Sequence, residues 1–437
     1  MSIREERRRR IEQKRLSDPT SVDIGFDDVD DEENIYAQTV DAGHKRDERA
    51  QKILITCIVL FVVFIVGLIF PKNLLDWDVV TMGLTNGYTL FPTVAEFVQA
   101  FQDNVASLLA TFSGTSSGRE NTIVRYCVIA MAGAGLALSG AVYQGSFRNS
   151  LVSPSSLGVM TGGHVGMTVW VIIACATAGD NAVTLALVSA EGDGTYSITD
   201  YIATSYGLAI CSFIGCFLVV GLVLLVMFIS GKGGESGIML IITGQIISAV
   251  ASQFNQIVRY YYVTLDPYSD AAQLLQELQV SSFYRTFTWI DLLCIGIPLA
   301  ITAVVVIRMR NKMMALAFDK SEQRTMGVDT KVINVAVVGL CTLLTAIIIS
   351  FCGTVSYVGF LIPHLARRMV GPNFKYLLPA SMALGAVFVL AAYVLMEITV
   401  GVDYASLTGI FISIAGSVVF VFTAIGGKGT ANGTFLR

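Results

Sequence analysis

Within one apolar stretch of this sequence, Gln245, Ser248, Ser252, Asn255 and Arg259 follow one another at intervals of three and four residues amid Ile, Val and Phe. On a helix that spacing gathers them on one face. Amides and hydroxyls do not attack a substrate without an activating base; what they offer is hydrogen bonding. In a helix that crosses lipid, polar side chains are tolerated where they meet protein or a water-filled cavity. The face therefore reads as the wall of a pathway or as ordinary interhelical bonding.

Other chemistries lack their parts. A phosphate-cradling loop ends in Gly-Lys-Ser/Thr, and the nearest approach, Gly426 to Thr430, places Gly429 after Lys428. A proton-coupled carrier needs acids inside its spans, and Asp291, Glu397 and Asp403 sit at or near the ends of apolar stretches. His44, His164 and His364 are scattered and lack companion ligands, so no metal site is read; His364 follows a helix-breaking proline and reads as structural. No set of nucleophile and base stands out for a membrane enzyme, and no catalytic residue is assigned.

The chain that positions the polar face is 54% hydrophobic and 14% charged over 437 residues, with a mean hydropathy of +0.66. Its solvent is a bilayer. A spanning helix needs about 20 mainly apolar residues, and the chain offers about ten such stretches. They lie near 52–70, 122–142, 155–178, 203–230, 237–262, 289–309, 332–351, 354–369, 375–398 and 405–425, the eighth being short enough for a partial span. The expected fold is all-α and polytopic. Cys57, Cys127, Cys175, Cys211, Cys216, Cys294, Cys341 and Cys352 fall inside or at the ends of these stretches and read as small core residues, not as disulfides or metal ligands.

Residues 1–50 are of another character. About a third of the 29 Lys and Arg lie here with a comparable number of acids. Such a segment buries too little apolar surface to offset the entropy of ordering, so it reads as a solvated, mostly disordered tail. Arg7, Arg8, Arg9 and Arg10 are placed to meet anionic lipid headgroups. With the tail inside, the loops rich in Lys and Arg are also inside, and an even number of spans returns the carboxyl end to the cytoplasm. Between Pro71 and Asn121, Val94, Phe97, Val98, Phe101, Val105, Leu108 and Leu109 recur at helical spacing and predict an amphipathic helix on the outer surface.

Two motifs carry more than packing explains. The first runs GAGLALSGAVYQGSFRNSLVSPSSLGVMTGG from Gly133, with Gly140, Gln144, Arg148, Asn149, Pro154 and Gly158. The second runs GTVSYVGFLIPHLARRMVGP from Gly353, with Gly359, Pro363, His364 and Arg367, and RTMGV at 324–328 lies between them. Through these strings, residues 51–425 closely resemble the permeases that import iron siderophores, haem and cobalamin, the FecCD/BtuC-like transmembrane subunits of ATP-binding-cassette importers.

That resemblance implies ten helices per subunit in a BtuC-like bundle spanning 51–430. It implies a second permease subunit, identical or paralogous, two separate ATPase subunits, and an extracytoplasmic substrate-binding protein. No cofactor is expected on this chain, ATP and Mg belonging to the partner ATPase; membrane lipid is a partner and nucleic acid is not. The inner loop 311–331, with Met314, Phe318, Arg324 and Gly327, becomes the segment that docks in the ATPase, and its Met and Phe beside charges suit a docking surface better than a solvated loop. The fifth span carries the pathway candidates Gln245, Ser248, Ser252 and Asn255.

The chain departs from the family in three places. An Asp and, four residues on, an Arg in the ninth span become Tyr393 and Glu397. The Arg-x-Pro-Arg before the second span becomes Thr122, Ile123, Val124 and Arg125, leaving Arg125, with Arg119 nearby, to dock the binding protein. The family's prolines near the tenth span are replaced at 405–409 and 416–418. The expected function is transport of iron complexes such as ferric siderophores across the cytoplasmic membrane. Haem or cobalamin import and an ion-coupled carrier are the alternatives.

Overall fold

The computed structural model describes Gln51 and residues 122–150, 152–178, 198–229, 237–280, 282–283, 287–315, 330–399 and 407–426. The chain divides into two units, Met1–Lys52 and Ile53–Arg437, and every described residue except Gln51 belongs to the second. The tail, the 52–70 span and the amphipathic segment at 94–109 lie outside the described residues.

The described part of the second unit is helical. In chain order the helices are α1 (Thr122–Ser146), α2 (Val159–Ala178), α3 (Ile198–Ile229), α4 (Gly237–Leu265), α5 (Asp270–Val280), α6 (Trp289–Ala315), α7 (Thr330–Cys352), α8 (Val358–Val370), α9 (Phe374–Thr399) and α10 (Thr408–Gly426). Six of them, α1, α2, α3, α6, α7 and α9, are long and apolar enough to cross a membrane. Every span predicted from residue 122 onward has a helix over it.

α1 is the centre, packed against α6, α7, α8 and α9. Small residues bring these backbones together, because lipid supplies no hydrophobic drive between helices and close van der Waals approach must replace it. A Cβ on Gly140 would collide with the Gly359 carbonyl of α8, and one on Gly133 with the Gly385 carbonyl of α9. Polar bonds add to this lock. Ser139 donates to the Cys341 carbonyl at 3.3 Å, Tyr143 pairs with Thr342, and Gln144 Nε2 donates to the Phe360 carbonyl at 3.0 Å.

α2 and α3 form a second tight pair, where Gly162 and Gly166 meet the backbone at Gly215 and Cys211. One side of α3 stays exposed and apolar, with Ile210, Ile214, Leu218 and Phe228, as a lipid-facing helix requires. The predicted third span is broken at its start. Ser153 caps a short 3-10 turn, Pro154–Leu157, and Gly158 closes it at φ 79° before α2 begins.

Two shorter helices pack on the others among the described residues. α8 has only 13 residues, about 20 Å of rise against a hydrocarbon core of about 30 Å, so it covers part of the bilayer depth. α5 is an 11-residue helix whose Ala271, Leu274, Leu275 and Leu278 pack on Met167, Val171 and Ala174 of α2 and Leu208 of α3. α6 opens on a reciprocal cap: Thr288 donates through its amide and hydroxyl to Asp291, and the Asp291 amide donates back to the Thr288 hydroxyl at 3.4 Å. Buried Asp291 is thus a helix cap.

Candidate functional site

The polar face of α4 divides along its length. Gln245 is exposed, Ser252 and Arg259 are half-buried, and Asn255 is buried. Ser248 Oγ and Asn255 Oδ1 are enclosed by protein and have no hydrogen-bond partner among the described residues. Ser248 stands against Gly158, where a Cβ would come 2.8 Å from its hydroxyl, and Gly244 meets the Ser156 carbonyl. Only glycine fits at 158, which needs both the left-handed backbone and that closeness.

A second polar surface lies where α7 gives way to α8. Tyr357, the residue that caps the start of α8, adopts φ 65° and supplies no side-chain hydrogen bond to it. Thr354, Ser356 and Tyr357 of this break, together with Gly409, Ser413 and Ser417 of α10, line an open groove of about 490 Å³ whose remaining walls are Ile410, Ile414 and Val418. Ser413 and Ser417 return their hydroxyls to the Gly409 and Ser413 carbonyls one turn back, and Ser356 reaches the Met160 sulfur of α2 at 3.6 Å. Uncharged hydroxyls and aliphatic walls make a weak, non-committal contact surface. No α4 residue lines this groove. Sequence reading passed over it, although Ser413 and Ser417 recur at a spacing of four.

The motif residues gather at the α1–α8 crossing. Gly140 and Gln144 meet Gly359 and Phe360, and Pro154 lies 3.1 Å from the position a Gly359 Cβ would take. Pro363 is buried within α8, while His364 and Arg367 are half-buried further along it. Arg148 is exposed with φ 48°, and Asn149 donates its amide to the Gln144 carbonyl at 3.2 Å, in the turn that leaves α1.

Arg125, at the opposite end of α1, donates to the Tyr393 hydroxyl at 2.9 Å. Met314 is exposed at the end of α6. Arg119, Phe318, Arg324 and Gly327 lie outside the described residues, as does the Glu397 side chain. His164 Nε2 is enclosed without a hydrogen-bond partner among the described residues. No group of three metal-ligating side chains occurs among those residues.

Comparison with known proteins gives this bundle a context. The chain is 29% identical over 260 residues to the molybdate import system permease protein MolB of Haemophilus influenzae, covering 59% of this chain and 66%, just under two thirds, of that relative. It is 25% identical over 303 residues to a probable iron chelatin transport system permease protein of Helicobacter pylori, covering 69% and 80%. A third relative, the cobalamin import system permease protein BtuC of Halobacterium salinarum, is 26% identical over 265 residues, covering 60% and 62%. Among solved structures, a metal-chelate type ABC transporter in an inward-facing conformation matches with a TM-score of 0.54 and 26% identity, over 69% of this chain and 86% of that one. The model of one family, the FecCD transport family, matches residues 89–425; a helical membrane bundle with that match over most of its length belongs to the FecCD transport family.

Proposed function

We propose that this chain is the membrane-spanning permease subunit of an ATP-binding-cassette importer that carries iron complexes, such as ferric siderophores, across the cytoplasmic membrane. The observation that carries this reading is the family match over residues 89–425 on a bundle of apolar helices. Hydrolysis of ATP with Mg takes place on two partner subunits, a second permease subunit completes the pathway, and an extracytoplasmic protein delivers the cargo.

In mechanism the permease contributes walls and a hinge of access. Gln245, Ser248, Ser252 and Asn255 of α4 offer weak hydrogen bonds, and the hydroxyl-lined groove between the α8 start and α10 adds similar ones. Tight binding there would trap the cargo in one state, because a ligand that strongly favours one conformation holds the equilibrium in it. Selectivity therefore resides mainly in the delivery protein. Arg119 and Arg125 dock that protein, with Arg125 aimed by Tyr393. The segment 311–331, entered through exposed Met314, couples to the ATPase through Phe318, Arg324 and Gly327. Both termini face the cytoplasm, and residues 1–50 form a charged tail there.

Iron complexes lead because relatives named for iron transport recur, among them the Helicobacter pylori protein and two iron-uptake permeases of Bacillus subtilis. Molybdate is the second reading, since the relative at 29% identity bears that name. Uptake assays in cells lacking the chain and complemented with it, using radioactive ferric chelate, molybdate, haem and cobalamin, decide among them. Restoration of ferric chelate uptake alone is expected; restoration of molybdate uptake alone would reassign the cargo.

A further inference from the structure

The residues just past α5 tie together parts of the bundle that the pathway reading leaves unconnected. Ser282 is fully buried. Its hydroxyl oxygen accepts a hydrogen bond from the Gly409 amide at 2.7 Å, at the start of α10. Its backbone forms an antiparallel bridge with Gly353, just past the end of α7. The next residue, Phe283, donates its amide to the Cys352 carbonyl at 2.7 Å.

Phe283 does this at φ 57°, a left-handed conformation that a bulky residue holds only where its surroundings enforce it. Its buried ring stands edge-on to Tyr393 with centroids 6.0 Å apart, and Tyr393 receives Arg125. Gly409 suits the junction because a Cβ there would press on the Thr354 carbonyl and come 2.9 Å from the Ser282 hydroxyl. Thr354 and Gly409 are also groove residues. The strap of residues 282–283 thus joins the two groove walls at the end marked by Thr354 and Gly409, and it follows on α5, whose leucines pack on α2 and α3.

We propose that Ser282 and Phe283 are positioning residues that latch this end of the groove, fixing the separation between the α7–α8 break and the start of α10. A displacement of α5 pulls on Ser282 and reaches both groove walls at once, because the Ser282 hydroxyl is bonded to the Gly409 amide and the neighbouring Phe283 amide to the Cys352 carbonyl. The functional meaning rests on the groove being part of the permeation route, while the latch itself is a matter of geometry.

The test uses the full chain in lipid nanodiscs with a reporter Ser413→Cys in the groove. Labelling by a small water-soluble thiol reagent is followed peptide by peptide, which separates the reporter from the native cysteines. S282A removes the acceptor, and G409A presses on both the Thr354 carbonyl and the Ser282 hydroxyl, forcing the junction apart while leaving the Ser282 side chain present. Both are expected to raise the labelling rate of the reporter about tenfold, the effect of losing one buried hydrogen bond on an opening equilibrium. A control cysteine at exposed Lys375 should label at its parent rate. An unchanged reporter rate in either variant overturns the latch, and so does an equal rise at the reporter and the control, which would mean general loosening. No cargo enters this experiment, so failed ferric chelate uptake with a normal latch would count against the iron-complex reading alone.

Discussion

α1 and α4 are both long helices of one bundle, 25 and 29 residues, yet they use small and polar residues to opposite ends. In α1, glycines admit neighbouring backbones, and Ser139, Tyr143 and Gln144 each reach a partner on α7 or α8. In α4, Ser248 and Asn255 keep enclosed oxygens without partners among the described residues, and Gln245 is exposed. A polar group matched across an interface fixes that interface, whereas an unmatched one costs stability and is retained for another reason. α1 is a frame. α1 also leaves Gln144 Oε1 and Ser146 Oγ unmatched, but three of its side chains bond across to α7 and α8, whereas among the described residues none of Gln245, Ser248, Ser252 and Asn255 bonds across from α4, in keeping with the proposed pathway.

The largest effect that would sharpen this contrast is expected from Gly140→Val. Its side chain meets the Gly359 backbone, which cannot rotate away, and overpacking of this kind costs about 3 kcal/mol. Thermal unfolding of the purified chain should move sharply downward, and a normal transition would dissolve the frame. Gly385→Ala, pressing on Gly133, should cost about 2 kcal/mol by the same measurement. Gln144→Leu removes the bond to the Phe360 carbonyl and should cost about 1 kcal/mol. The smallest change in stability is expected from Asn255→Leu, within about 0.5 kcal/mol of the parent, since no partner is stranded. Uptake should nevertheless slow. An unfolding loss as large as that of Gln144→Leu would make α4 a second frame and break the comparison.

The frame was more legible than the route. A continuous apolar run of helical length has few meanings, so the spans from residue 122 onward could be placed from composition, and the glycine strings marked where helices cross. The start of α2 was misplaced although SPSSLG holds a cap, a proline and a left-handed glycine in order. α5 was missed because 11 residues with several glutamines fall short of a span, even though Ala271, Leu274, Leu275 and Leu278 keep to helical spacing. The α4 face was visible as spacing, but burial decides which oxygens are enclosed, and burial belongs to the tertiary arrangement. The groove was hidden for the same reason: Thr354 and Ser413 are far apart in the chain and share a groove only where α10 packs beside the break between α7 and α8.

The central claim, that this bundle moves cargo only when a separate hydrolase drives it, is tested most directly in proteoliposomes holding the permease and its ATPase partner. Ferric chelate accumulation would be measured with a wild-type ATPase and with one whose phosphate-loop lysine is replaced. The account predicts accumulation that requires ATP and disappears with the inactive hydrolase. Accumulation at the same rate in both preparations would contradict it.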